Sequence, residues 1–520
     1  MARAIGQHNL ARLAEQAIER FGDRESLFFE GRWYRSGEMH ERSARIAGGL
    51  AARGLQPGDR AVVMMSNTPD VAVIYSALWR AGAAITPAIF LLSDDELANI
   101  LRDSEARAVF TSAEFLPRVR VAAAGAPSLE WIFCPGAVQG AASLDELASA
   151  EPLQVVPRAD SDLAALMYTG GTTGRAKGVM LSHENVWRAG GASQEAGYVP
   201  GINRSLVSLP LSHAFGLLVT VVGMHGVEPG VSVLMKWFDP AGCLALIQEH
   251  RVQVVPVVPS MIQAMLAQTV EDYDLSSLRF FACGAAPLAA EVIHELERRI
   301  PNCEVREGYG LTESAAIISS TRPGRRRLGS VGEPVPGCEV RILDNDGHEQ
   351  RTGELGEICA RSRTIMRGYW KAPELTALTV TDGWLRTGDI GRVDEDGFLY
   401  IVDRKKDLII RNGFNVYPRD IEDVLLEHPA VQLASVVGRP NPATGEEVVA
   451  FVSLRPGAVV TSAELVQFGR EKLGAHKYPR EVHIIDMVPL TPVGKVDRKA
   501  LRALLTEVQA APGLSNPHAM

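Results

Sequence analysis

Residues 61–86 read AVVMMSNTPDVAVIYSALWRAGAAIT, and this stretch sets the fold class. Ala61–Met65 is an apolar run too short for a helix and reads as a buried strand. Thr68 then offers an N-cap, Pro69 sits at the first helical position, and Gly82 follows the last residue of the helical period. A second apolar run, Ala83–Thr86, begins at once. Strand, helix and strand in such close succession imply a parallel sheet covered by helices. Working outward, Ser93 and Glu96 form a capping box for the next helix, and Ala108–Thr111 reads as the next strand. The same rhythm returns with strand Val231–Met235, helix Pro240–Glu249, strand Gln253–Val258 and a helix after Ser260. Strand Leu278–Ala282 and helix Ala289–Arg299 continue it.

After about Val331 the pattern changes to segments of alternating polarity. These are joined by DNDG (Asp344–Gly347) and DEDG (Asp394–Gly397), which read as hairpin turns. DNDG resembles the opening of a calcium loop, but the downstream ligand spacing does not follow it. Beyond the polar segment Asp403–Asp407, a helix starting at Pro418, strands near Val431–Val437 and Val448–Leu454, and a Thr461/Glu464 capping box form a block with its own core. The expected fold class is α/β. A large N-terminal domain of helix-covered sheets with a β-rich subdomain spans residues 1–403. A small mobile α+β domain spans 404–510, and 511–520 form a flexible tail.

The chain has 520 residues, 46% hydrophobic and 22% charged, the balance of a globular protein with more than one core. A net charge of −9 excludes the electrostatic footprint of nucleic-acid binding. The one dense basic run, Arg322, Arg325, Arg326 and Arg327, reads as a solvated loop, with a patch for a phosphate-bearing ligand as the alternative. The six cysteines are far apart without a CxxC pair, which argues against a zinc ribbon or disulfide framework. The N-terminus lacks the apolar core of a signal peptide, and no apolar run reaches the ~20 residues a bilayer span needs. A cytoplasmic location is the expectation.

Four stretches concentrate the chemistry. In the first, strand Leu163–Tyr168 runs into TGGTTGRAKG (Thr169–Gly178), whose glycines let backbone amides approach phosphate oxygens. It is not a Walker loop, because Lys177 is followed by Gly178. A helix starting at Ser182 closes the unit. The second, EGYGLTES (Glu307–Ser314), sets Tyr309 between Gly308 and Gly310. Thr312 and Glu313 follow as an oxygen-rich pair suited to a phosphate-held magnesium ion. The third begins at WLRTGDIG: Asp389 can accept from ribose hydroxyls, and Arg404 offers a planar fork for ribose or phosphate. The fourth, PLTPVGKVDRKAL, presents Lys495 after a glycine in a loop.

Together these stretches resemble the adenylate-forming superfamily, in its family order and approximate spacing over nearly the whole chain. The nearest branch is that of the acyl-CoA synthetases, or fatty-acid–CoA ligases. The resemblance implies that Thr169, Gly170, Gly171, Thr172, Thr173, Gly174 and Lys177 hold the β- and γ-phosphates of ATP, and that Thr169 and Glu313 contact Mg2+. It further implies that Gly284, Ala285 and Ala286, with Glu307, Gly308 and Tyr309, frame the adenine beside Thr312. Asp389 and Arg404 would bind the ribose. Lys495 would bridge the substrate carboxylate and the α-phosphate, and Lys406 would be the hinge between two half-reactions. Two departures stand out: Gly170 and Ala176 occupy positions where the family usually has Ser and Pro. The lost hydroxyl is worth ~1 kcal/mol, the net value of an ordinary hydrogen bond.

The implied reaction joins a carboxylic acid to ATP as an acyl-adenylate and transfers the acyl group to CoA, with no protein nucleophile. Cys283 is therefore expected to pack rather than react. His213, in LPLSHAFG, is expected as a wall or gate of the acid pocket, with Ala214, Phe215, Leu217, Gly310 and Ala315. These small or apolar neighbours favour a medium- or long-chain fatty acid, with an aryl or cinnamic-type acid as the alternative. Relatives that activate dicarboxylic acids carry an arginine where Gly308 stands here, and Arg306 need not point into the pocket. A carrier-protein-directed adenylating enzyme and a non-catalytic nucleotide-binding relative are remoter alternatives. Small-molecule acid, ATP and CoA are the expected partners, with a homodimer left open.

Overall fold

The computed structural model describes residues 5–169, 176–344, 346–491 and 496–510. Two large sheets form the N-terminal part. One joins Glu25–Phe29, Val231–Leu234, Arg204–Val207, Val254–Val257, Phe280–Cys283 and Glu304–Tyr309 in parallel, with antiparallel strands at each margin. The other is built on Arg60–Met64, flanked in parallel by Ala84–Pro87 and Ala108–Thr111. Strand 60–64 is buried on both sides, as expected where helices cover both faces of a parallel sheet. Pro69 begins the helix Pro69–Arg80, Ser93 and Glu96 close their capping box, and Asp239 caps the helix Pro240–His250.

One strand with no signal of its own in the sequence bears on the glycine-rich stretch. Between Leu163–Thr169 and the helix His183–Gly197, residues Lys177–Ser182 form a strand antiparallel to Leu163–Thr169. Thr169 and Lys177 are direct partners across this pair. Strand Leu163–Thr169 is thus followed by an antiparallel strand, Lys177–Ser182, before the helix begins. The second sheet is mixed, not purely parallel.

Residues 338–404 form a separate antiparallel sheet, in which Trp384–Val393 and Leu399–Arg404 close a hairpin around 394–397. At the other turn, Asp344 accepts backbone N–H bonds from Asp346 and His348. Its exposed neighbours Asp346 and His348 bring metal-type ligands close, but the turn itself uses the Asp344 carboxylate. A fourth sheet carries the smaller C-terminal part. Val431–Asn441 and Gly445–Leu454 pair antiparallel, with Glu481–Ile484 added in parallel. Its core packs Val436, Val448, Ala450 and Val452 against Ile421 and Leu425 of the helix Pro418–Leu426. Pro418 starts that helix and Thr461/Glu464 cap the next.

The basic run is spent on ion pairs. Arg322 and Arg325 face Glu333, Arg326 pairs with Glu297, and Arg327 reaches Asp394 at 2.6 Å and Asp396 at 2.7 Å. Each guanidinium thus faces a carboxylate, with Arg322 and Arg325 sharing Glu333, which favours the solvated loop over a phosphate patch. No helix among the described residues is long and apolar enough to cross a membrane. Arg80, the last residue of the helix Pro69–Arg80, is buried and donates to Glu15 and to the Leu153 carbonyl.

Candidate active site

A cleft of about 1980 Å³ opens between the large and small parts and continues between the first sheet and the helix Ala214–Met224. Its walls follow from strand periodicity. In the first sheet, Leu206, Val233, Val255, Phe281 and Val305 face a packed core. The alternating set, among them Val207, Pro256, Ala282 and Gly308, borders the cleft. One face of a single sheet thus makes a core, and the other makes a site.

Thr169 and Lys177 flank the glycine-rich run at the mouth of this cleft. Gly170, Gly171, Thr172, Thr173 and Gly174 lie outside the described residues, as does Lys495. Glu313 sits in the short helical turn Thr312–Ser314. The Tyr369 hydroxyl donates to its Oε1 at 2.8 Å, and the Lys177 ammonium stands 5.5 Å from the Tyr369 ring centre. The Glu313 carbonyl accepts from Met366 N–H, while Arg367 N–H donates to the Met180 carbonyl. These ties lock the Glu313 turn to the strand that begins at Lys177. The Glu313 carboxyl and the Thr169 hydroxyl are hard-oxygen donors of the kind magnesium takes, and the Lys177 ammonium beside them suits phosphate rather than metal.

Gly284, Ala285 and Ala286 leave the strand Phe280–Cys283 beside its partner at Glu307. A Cβ on Gly284 would lie 3.2 Å from the Gly308 carbonyl oxygen and 3.6 Å from the Phe215 ring, so the two glycine backbones and that ring pack together and form one stretch of cleft wall. Ala285, Ala315 and Ala316 hold positive φ of 72°, 51° and 71°, conformations that store strain and recur at functional sites. Gly310 is required by approach: a Cβ there would stand 2.3 Å from the Ala316 carbonyl group.

Asp389 and Arg404 are paired across adjacent strands, with Arg404 Nε 3.4 Å from Asp389 Oδ1. The Tyr309 hydroxyl donates to Asp389 Oδ2 at 2.6 Å, and Thr387 Oγ1 accepts from the Asp389 N–H. Asp389 is thus aimed from the antiparallel sheet at the second motif, which sequence spacing alone did not show. His213 caps the helix Ala214–Met224 by accepting from Phe215 N–H at 3.2 Å. It borders the cleft with Ala214, Phe215 and Gly310, while Leu217 and Ala315 are buried in the adjoining core. Cys283 is buried and its thiol pushed well up by desolvation, consistent with packing.

The C-terminal part meets this site through charge. Arg419 donates to the Ile401 carbonyl, and its N–H to Asp403 Oδ2. Arg498 makes a two-pronged pair with Glu422, and Arg502 donates to Asp407 at 2.8 Å. Leu490 and Val496 bridge in antiparallel fashion and Asp497 N–H returns to the Pro489 carbonyl, so both ends of the Lys495 loop are pinned at the cleft border. None of these charges stood out in the sequence, because Arg and Asp in such segments read as surface residues.

Burial raises the Glu307 carboxyl to about 7, opposed by Arg419 and Arg326. A carboxyl raised in the fold binds a proton there that the unfolded chain releases, so its contribution favours the fold at low pH and is lost as pH climbs through 7. Glu307→Gln should therefore raise Tm at pH 8.5 by about 2 °C, the order of ~1 kcal/mol in a large domain, and leave it unchanged near pH 4. A thermal scan showing an equal shift at both pH values contradicts this.

Comparison with known proteins agrees with that geometry. Residues 13–370 match the family model described as AMP-binding enzyme, and 420–495 match its C-terminal domain. The long-chain-fatty-acid–CoA ligase of Bacillus subtilis (strain 168) is 32% identical, covering 96% of this chain and 95% of its own. A feruloyl-CoA synthase of Amycolatopsis is 35% identical over 89% and 92%. The crystal structure of ATP-bound MatB from Rhodopseudomonas palustris superposes with a TM-score of 0.88 at 30% identity, covering 96% and 99%. A two-domain architecture and a nucleotide cleft shared at this level identify an AMP-forming acid–thiol ligase, and the chain belongs to the adenylate-forming superfamily of AMP-binding enzymes.

Proposed function

We propose that this ligase activates an aryl monocarboxylic acid of the cinnamic type and passes it to CoA. The observation that carries the reading is the cleft wall formed by the side-chain-free backbones of Gly284 and Gly308 together with the Phe215 ring. Two glycines without side chains beside a ring present a flat wall, against which an aromatic body lies with large contact area and can stack offset on Phe215. An aliphatic chain would cover that wall less completely and at the cost of its rotamer freedom. The higher identity to a feruloyl-CoA synthase points the same way. The sequence alone ranked a fatty acid first; the flat wall and that relative favour the aryl alternative.

The chemistry follows from charge. A carboxylate meeting a triphosphate brings like charges together, so cations must neutralise the transition state. Magnesium supplies Lewis-acid neutralisation when bound, held by Glu313 and Thr169. Lys177 flanks the phosphates, and Lys495 reaches the α-phosphate and the carboxylate. The boundary between the two parts falls at 403/404, with Arg404 and Asp389 on the ribose. The carboxylate attacks the α-phosphorus, pyrophosphate leaves, and the CoA thiol then attacks the acyl carbon with AMP as leaving group. His213 keeps the pocket wall in place through its cap on the helix.

An acid panel read by pyrophosphate release tests this. Cinnamic-type acids should exceed octanoate by about ten-fold in kcat/KM, and both should exceed succinate by at least ~100-fold. That last margin, ~2.7 kcal/mol, reflects the cost of enclosing a second carboxylate without a free cation. Octanoate at the top of the panel would restore the fatty-acid reading and sink this one.

A further inference from the structure

Arg306 departs from the sequence expectation. It lies on the cleft-facing side of its strand, one step below Gly308 and opposite Ala282, about 7 Å deeper along the strand. Its side chain is nine-tenths buried, with the guanidinium carbon 3.9 Å from the Phe280 ring centre and Nε donating to Glu304 Oε1 at 2.6 Å. Nη1 is enclosed and has no hydrogen-bond partner among the described residues.

We infer that Arg306 is a specificity-determining residue that takes a neutral oxygen acceptor at the far end of the acid. Three observations lead there. A guanidinium fixed by stacking and one ion pair loses little freedom on accepting a ligand. An enclosed donor without a partner gains most from an acceptor brought to it, because nothing else in the pocket satisfies it. Glu304 already balances the charge, so a hydroxyl, methoxy or carbonyl oxygen fits better than a second carboxylate, which would have to displace or oppose Glu304. The position suits an acid whose carboxylate lies at the Gly308 end and whose body runs back along the strand. The identity of that body rests on the aryl reading; the distal oxygen does not.

The test compares 4-hydroxycinnamate with cinnamate, and 8-hydroxyoctanoate with octanoate, by pyrophosphate release. In the unaltered enzyme the hydroxylated member of the activated pair should be preferred by at least about ten-fold in kcat/KM, since a site built to bond a hydroxyl rejects the analogue lacking it. Arg306→Met should collapse that preference to about one while turnover of the unsubstituted acid stays within about three-fold, so that a fold defect would be recognised. Glu304→Gln, which leaves the guanidinium charge unopposed, should raise activity on 4-carboxycinnamate. Activity confined to the octanoate pair would overturn the aryl reading yet support Arg306 if Met abolishes the hydroxyl preference there. A hydroxyl preference absent from both pairs, or unchanged in Arg306→Met, would overturn the inference about Arg306.

Discussion

Lys495→Ala is expected to reduce acyl-adenylate formation by about 10²–10³-fold, the scale seen when one donor or cation aimed at developing charge is removed. Pyrophosphate exchange dependent on the acid reads this step. Thioester formation from a presupplied acyl-adenylate should change by no more than about three-fold, because that step needs no cation between carboxylate and phosphate. The anchoring of the loop supports this division of labour. Leu490 and Val496 are bridged, and Arg498 pairs with Glu422 of the C-terminal part. On this proposal the lysine is carried by that part and moves with it. Equal losses in both half-reactions would mean that Lys495 holds structure rather than charge.

Lys406→Pro should separate the halves in the opposite sense. Lys406 follows the Asp389–Arg404 pairing and precedes Asp407, whose N–H donates to the Arg404 carbonyl at 2.9 Å. Lys405 N–H is fixed to the Gly388 carbonyl, and its ammonium to Glu357 at 3.1 Å. On one side of Lys406 the chain is thus pinned to the antiparallel sheet, and on the other Asp407 is held by Arg498 and Arg502. A rotation between the two parts must be taken up by very few dihedral angles here. Proline fixes φ near about −65° and restricts the residue before it. Adenylation should survive within a few-fold, and CoA transfer should fall at least ~100-fold in single turnover, a loss of ~2.7 kcal/mol. Full turnover at the rate of the unaltered enzyme would move the hinge elsewhere.

The elements that local signals specify were legible in the sequence. Helix starts at Pro69, Ser93, Pro418 and Thr461 announce themselves through caps and proline, whose effects reach only a few residues. The strand Ala108–Thr111 has the bounds that its apolar run gives. The strand Lys177–Ser182 was missed because KGVMLS, after a glycine-rich run, carries no pairing signal of its own; its partner supplies the hydrogen bonds. Candidate residues were found where a motif concentrates them. Tyr369 and Arg419 were not, since each belongs to an unremarkable segment and gains its place by tertiary contact, and Thr387, though inside WLRTGDIG, gains its part only through its bond to the Asp389 N–H. Arg306 shows the limit most clearly. Its face of the strand follows from period two, but whether that face met core or cavity depended on how the helix Ala214–Met224 lies against the sheet.

An isotope transfer tests the central claim most directly. The enzyme is given ATP, CoA and the preferred acid with both carboxylate oxygens replaced by ¹⁸O, and the products are weighed by mass spectrometry. Attack of the carboxylate on the α-phosphorus followed by thiol attack on the acyl carbon places one ¹⁸O in AMP, leaves one in the thioester, and puts none in pyrophosphate. Label in inorganic phosphate with ADP as the nucleotide product, or AMP without label, would contradict an acyl-adenylate route.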